Sequence, residues 1–124
     1  MSSGHKIIKS FAFAWNGLKT CFISETNFKI HLLLAVIAIS FGIGFSISGT
    51  EWLALIFCIV FVLVMEMINT AIEKICDVVH KDFHPGIKKI KDIAAGAVLV
   101  ASGGASITGL VIFLPKIIIY IKSF

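Results

Sequence analysis

Residues 52 to 65, Trp-Leu-Ala-Leu-Ile-Phe-Cys-Ile-Val-Phe-Val-Leu-Val-Met, carry no charge, and the chain runs on without a helix breaker into Glu66-Met-Ile-Asn-Thr-Ala-Ile-Glu-Lys-Ile-Cys-Asp77. An apolar stretch of this kind reads as a helix crossing a lipid bilayer. At about 100° per residue, Glu66, Asn69, Glu73 and Asp77 fall within roughly 80° of one another on one face. Met67, Ile68, Ala71, Ile72 and Ile75 cover the remaining faces. Ionisable groups at such a depth are costly, so they face protein or water and serve chemistry or transport.

Two further apolar runs, Ile30 to Ser48 and Ile93 to about Tyr120, complete the pattern. With 124 residues, 58% of them hydrophobic, and a mean hydropathy of +1.02, a soluble domain of this size is excluded. The expected fold is all-α and integral to the membrane: a surface helix over about 5–22, then spans over about 28–48, 52–79 and 86–121, the whole chain forming one domain. Lys6, Lys9 and Lys19 interrupt the N-terminal region, which therefore does not read as a cleaved secretory signal. All eleven basic residues are lysines, and nine of them flank the N-terminal region or the 74–92 linker. Lys116 and Lys122 alone lie at the other pole. The positive-inside rule then places the N-terminus and that linker in the cytoplasm and the C-terminus outside, as in a bacterial inner-membrane protein with an odd number of spans. The net charge of +4 is accounted for by this bias and by attraction to anionic lipid, with no nucleic-acid partner. Cys21, Cys58 and Cys76 have no metal-ligand spacing and read as small apolar residues.

Along residues 5 to 22, Ile7, Phe11, Trp15, Leu18 and Phe22 share one side, with Lys6, Lys9, Asn16 and Thr20 largely opposite. This is the pattern of a helix lying in the membrane interface; a frayed cytoplasmic tail is the bland alternative. Ser24-Glu25-Thr26-Asn27 reads as a turn or helix start in which Ser and Asn supply caps. Glu25 is either part of that start or a ligand, being the sole acid before the first span. His31 is either a satisfied interfacial histidine or part of a site. Glu51, the only acid on the outer side, reads as a surface residue.

From Trp52 to Glu66 the helix rises about 21 Å, placing Glu66 in the inner third of a hydrocarbon core roughly 30 Å thick; Glu73, about 10 Å further on, reaches the head groups. The row of acids runs from a dry end to a wet one. Glu66 is thereby suited to act as a general base, and Glu73 to hold a cation. Polar residues can also merely glue membrane helices together, but three acids on one stripe repel one another unless cations neutralise them. His80-Lys-Asp-Phe-His-Pro85-Gly86 breaks the helix, and Pro85 or Gly86 starts the next one. The lysines that follow, Lys88, Lys89 and Lys91, face the acids as a metal-plus-phosphate site would require, although topology alone also demands them. Ala97, Ala101, Ala105 and Gly109 form a small-residue face for close helix packing. No Walker loop, dinucleotide fingerprint, kinase glycine loop or nucleophile elbow occurs.

Nearly the whole chain resembles the prokaryotic diacylglycerol kinase and undecaprenol kinase family. The resemblance is carried by Lys6-Ile-Ile-Lys9, Trp15-Asn-Gly-Leu-Lys19, Glu25, the signature Glu66-Met-Ile-Asn-Thr-Ala-Ile-Glu73 with Asp77, and Lys91-Asp92 followed, after Ile93, by Ala-Ala-Gly-Ala-Val-Leu. It implies a surface helix and three spans assembled as a homotrimer, with active sites shared between neighbours at the cytoplasmic interface. It implies ATP as phosphoryl donor, Mg²⁺ as cofactor and a lipid alcohol as acceptor. Carried over by position, Glu66 is the base that deprotonates the lipid hydroxyl, Glu25 and Glu73 hold Mg²⁺, and Asn69 and Asp77 support that shell. Phe13, Asp82, Phe83, His84, Lys91 and Asp92 lie with the nucleotide; Lys6, Trp15, Lys19 and His31 lie on the lipid side. His31 stands where the diacylglycerol kinase pattern has a glutamate, and Asn27-Phe-Lys-Ile-His31 resembles the undecaprenol kinase branch, which favours undecaprenol over diacylglycerol. A proton-coupled transporter or channel is the competing class. It would need its acids near the midplane with water on both sides, whereas six of the seven acids here lie on or near the cytoplasmic side.

Overall fold

The computed structural model describes residues 3–124 as four helices joined by short connections. These are α1 (Ser3–Ser24), α2 (Thr26–Gly44), α3 (Gly49–Val79) and α4 (Pro85–Lys122). The last three are long and apolar enough to cross a membrane. At 1.5 Å per residue, the 31 residues of α3 and 38 of α4 span about 46 and 57 Å. Both exceed a hydrocarbon core of about 30 Å and so project beyond it. Leu53, Phe57, Leu99, Val100 and Val111 are each more than 70% exposed, on surfaces that only lipid or another protein could cover.

The end of the bundle that holds the α2–α3 turn, the outer end by the positive-inside expectation, is pinned first. Ser46, with φ of 50°, turns the chain between α2 and α3. Ser48 then caps α3: its hydroxyl accepts from the Glu51 backbone N–H at 3.2 Å, and Glu51 Oε1 accepts from the Ser48 N–H at 3.0 Å. This reciprocal capping box satisfies two otherwise orphaned donors. The second carboxylate oxygen of Glu51 takes a 2.6 Å ion pair from Lys116 on α4. Glu51 is thus a half-buried clamp between two helices and not the free surface acid expected from its position. Beneath it, Ile47, Leu55, Ile112 and Phe113 form the buried cluster; Phe41 packs edgewise on Phe45 at 6.4 Å and on Phe113 at 6.1 Å, and Phe45 lies tilted against Phe113 at 6.3 Å.

Helix α4 lies against α3 more extensively than any other pair. Ala94 and Ala101 are buried in that contact, and Ala97, Ala105 and Gly109 are half-buried, so the small-residue face serves packing within the chain. At the inner end, His84 caps α4, its Nδ1 accepting from the N–H groups of Gly86 at 3.0 Å and Ile87 at 3.4 Å, with Pro85 in the first turn. A ring nitrogen that accepts carries no proton, so His84 holds its hydrogen on Nε2. The turn between α1 and α2 has Glu25 at the cap position, extended and without a side-chain capping bond; its carboxylate is left for other use.

Gly42 of α2 packs tightly against Trp52 of α3 and Ile47 of the turn between them: a Cβ there would stand 2.7 Å from Trp52 Cη2 and 3.1 Å from Ile47 Cδ1. Gly42→Ala should therefore lower stability by about 1–3 kcal/mol through overpacking, read as a reduced midpoint in detergent-based unfolding; an unchanged midpoint would show that the indole moves aside freely.

Candidate active site

Helix α3 sets the site by its periodicity. Glu66, Asn69 and Glu73 recur every three to four residues, and burial falls steadily along them: Glu66 is 2% exposed, Asn69 7%, Glu73 half-buried, and the Asp77 side chain 67% exposed. Burial therefore falls along one helix face from Glu66 to Asp77. Thr70 is buried beside it and donates to the Glu66 backbone carbonyl at 3.0 Å. Asn69 donates through Nδ2 to Glu73 Oε1 at 3.2 Å, while its Oδ1 is buried without a hydrogen-bond partner. An unpaired buried amide oxygen costs about 1–3 kcal/mol. It is an acceptor held ready beside a carboxylate.

His31 of α2 approaches from across the helix pair, its Nε2 3.7 Å from Glu66 Oε2. Glu25, at the start of α2, lies within electrostatic reach of Glu66. Cys21 packs behind these acids, and burial, followed by the Glu25 carboxylate, pushes its thiol up from the ordinary range. That keeps it protonated and apolar in character.

At the wet end, Lys91 Nζ bonds Asp77 Oδ1 at 2.7 Å, joining α4 to α3, and Lys88 bonds Asp92 at 2.6 Å along α4. Both pairs are exposed and contribute little to stability, so their lysines are readily surrendered to a stronger anion. Trp15 and Lys19 of α1 line an apolar groove of about 580 Å³ with Leu18, Phe22, Phe28 and Met67. A second apolar crevice, about 330 Å³, opens among α2, α3 and α4 with His31 at one end and Phe113 at the other.

One chain thus brings together Glu66, Asn69, Glu73 and His31, with Glu25 at the edge, and pairs Asp77 with Lys91. Lys6 and Phe13 on α1, and Asp82 and Phe83 on the α3–α4 loop, stand exposed outside this cluster. His84 is engaged as a helix cap. Among the described residues, no three His, Cys, Asp or Glu side chains form a ready-made metal group. The Glu51–Lys116 clamp and the His84 cap went unread in the sequence: Ser48-Gly-Thr-Glu51 is a legible capping box, whereas Lys116 is 65 residues away and has no local signal.

A membrane helix bundle carrying this acid row at one end defines a three-span protein with an interfacial site. The prokaryotic diacylglycerol kinase family matches residues 12–113, and the chain belongs to that family of lipid kinases. It is 36% identical over 113 residues to the undecaprenol kinase of Bacillus subtilis, covering 91% of this chain and 92% of that protein. The diacylglycerol kinase of Synechocystis sp. is 36% identical over 115 residues, 90% of this chain but 65% of that protein. The diacylglycerol kinase of Escherichia coli is 28% identical over 103 residues, 83% of this chain and 84% of that protein.

Because Glu66 is the one nearly sealed acid, replacing it tests whether the site is held at the expense of the fold. Glu66→Gln should raise the unfolding midpoint, equivalent to about 1 kcal/mol, since it removes a desolvated charge. A lower midpoint would mean that the carboxylate is structural.

Proposed function

We propose that this chain transfers the γ-phosphoryl group of MgATP directly to the hydroxyl of a membrane lipid alcohol, with undecaprenol favoured over diacylglycerol. The observation that carries the reading is the burial gradient from Glu66 to Asp77. It sets a proton acceptor at the depth of a lipid hydroxyl and hard anionic oxygens at the depth of a nucleotide. Family membership supports the chemistry, and the undecaprenol kinase relative, matched over almost its whole length, supports the acceptor together with His31.

Glu66 accepts the hydroxyl proton as the oxygen attacks phosphorus, and its isolation from water keeps competing hydrolysis low. The donor set suits Mg²⁺ in its usual protein mode, one or two carboxylates completed by phosphate and water, without an all-protein cage. Glu25 and Glu73 would hold the ion; the unpartnered Asn69 Oδ1 is an acceptor for its hydration shell, and Asn69 Nδ2 already fixes Glu73. When bound, Mg²⁺ neutralises phosphate charge in the transition state. Lys91 and Lys88, released from Asp77 and Asp92, take remaining phosphate charge. Phe13, Asp82, Phe83 and His84 belong to the nucleotide side; Lys6, Trp15 and Lys19 guide the lipid. Most of the acceleration comes from positioning.

Helix α1, with Ile7, Phe11 and Trp15 all exposed, lies as an amphipathic helix in the cytoplasmic leaflet of the bacterial inner membrane. Three chains assemble, so that Phe13 and the nucleotide loop of one complete the acid row of another. A transporter is disfavoured because Glu51, the only acid at the outer pole, is consumed by an ion pair with Lys116.

In mixed micelles, the protein should move label from [γ-³²P]ATP to undecaprenol faster than to diacylglycerol. Glu66→Gln should lower that rate by about 10²- to 10⁴-fold with the assembly intact, and chelation of Mg²⁺ should abolish it. Preference for diacylglycerol would overturn the acceptor assignment. Electrogenic flux without ATP would overturn the kinase reading itself.

A further inference from the structure

Sealing the base creates a second problem. After each turnover the Glu66 carboxyl holds a proton, and at 2% exposure it has almost no water to give it to. Water reaches the site most easily through a neighbour. His31 Nε2 stands 3.7 Å from Glu66 Oε2, and the His31 side chain is 20% exposed against 3% for that of Glu66. A hydrogen bond of about 3.0 Å requires an approach of some 0.7 Å, within what a catalytic contact gains when substrate binds.

We infer that His31 is a positioning residue acting through Glu66: it receives the proton that Glu66 takes from the lipid alcohol and passes it to the cytoplasmic side. The inference rests on the lipid kinase reading and extends it. The alcohol oxygen attacks the γ-phosphorus; the bond from phosphorus to the bridging oxygen breaks, and its electron pair leaves with ADP. The hydroxyl proton goes to the Glu66 carboxylate and from there to Nε2 of His31, in the tautomer that carries its hydrogen on Nδ1. The resulting imidazolium releases the proton on Nδ1 to water. One proton per phosphoryl transferred leaves the site and Glu66 is again a carboxylate; His31 is left with its hydrogen on Nε2, and a turn of the ring about its Cβ–Cγ bond brings the bare Nδ1 toward Glu66 and closes the cycle.

The surroundings of His31 suit this traffic. Helix α3 faces the pair with Glu66, and Glu73 and Asn69 continue the same stripe. Glu25, at the start of α2, acts on the Glu66 carboxylate, and Cys21 of α1 lies within electrostatic reach of Glu66 and of Lys74. Helix α4 lines the adjoining crevice with Ser102, Ala105 and Ser106, none of which titrates in this range. Imidazole is the side chain that exchanges protons between pH 5 and 8. A glutamine at position 31 would keep size and polarity and lose proton exchange.

The test uses the full-length protein in mixed micelles with undecaprenol and MgATP. Wild type, His31→Gln and His31→Glu are compared for kcat, KM for MgATP and the pH dependence of kcat, with circular dichroism reporting the fold. Wild-type kcat should fall on the acid side, where imidazole is already protonated and cannot accept. His31→Gln should lower kcat by about 10- to 100-fold, leave KM for MgATP within twofold and abolish that acid limb. His31→Glu, which again exchanges protons, should recover at least tenfold of the loss, with the acid limb displaced to lower pH. His31→Ala supplemented with free imidazole gives a second route: kcat should rise with imidazole concentration, whether or not the glutamine variant folds well. Full kcat with an unaltered pH profile in His31→Gln, or no recovery by either glutamate or imidazole, would overturn the relay. If wild type itself transfers no phosphate to a lipid alcohol, the kinase reading falls first, and that result is distinct from both.

Discussion

An anionic side chain deep in a membrane helix is tolerated only where the surrounding structure gives it work and partial compensation. Glu66 is that side chain, and the rest of the molecule is legible as its consequence. Had the row from Glu66 to Asp77 been uniformly buried, its mutual repulsion would have been prohibitive; had it been uniformly exposed, the proposed function would have no carboxylate sheltered from water to accept a proton. The gradient along one face of α3 resolves both, because a straight helix converts sequence spacing into depth at 1.5 Å per residue.

Depth is meaningful only if the helix cannot slide. The outer end supplies that fixity. Ser48 and Glu51 cap α3, Glu51 and Lys116 tie it to α4, and the cluster of Ile47, Leu55, Ile112 and Phe113 fills the space beneath. The inner end is held by weaker, exposed pairs, Asp77 with Lys91 and Lys88 with Asp92. This division of labour suits the proposed function: a rigid hydrophobic end sets register, and the end with exposed ion pairs has lysines whose present partners hold them weakly.

Much of this was written locally in the chain. The helices follow from apolar runs bounded by Ser48 and by Pro85-Gly86, and the acid row follows from residues three and four apart. Contacts between distant segments were not. Nothing local announces that Lys116 meets Glu51, that Lys91 meets Asp77, or that His31 turns its Nε2 toward Glu66, because each depends on how α2, α3 and α4 dock. Glu51 shows the limit most clearly. Read by position, it is a surface acid; placed in the fold, its two oxygens serve a helix cap and an interhelical ion pair. His84 similarly accepts two backbone N–H groups at the start of α4, a task that its sequence neighbourhood of Pro85 and Gly86 permits but does not declare.

The central claim is that Glu66 is the proton acceptor at the lipid side of the site. A hydrophobic carbodiimide, which couples to carboxyl groups in apolar surroundings, offers the most direct measurement when peptide mass spectrometry is run alongside phosphoryl transfer. Activity should disappear in step with modification of Glu66, and the lipid alcohol should slow both. Full modification of Glu66 with full activity retained would contradict the account.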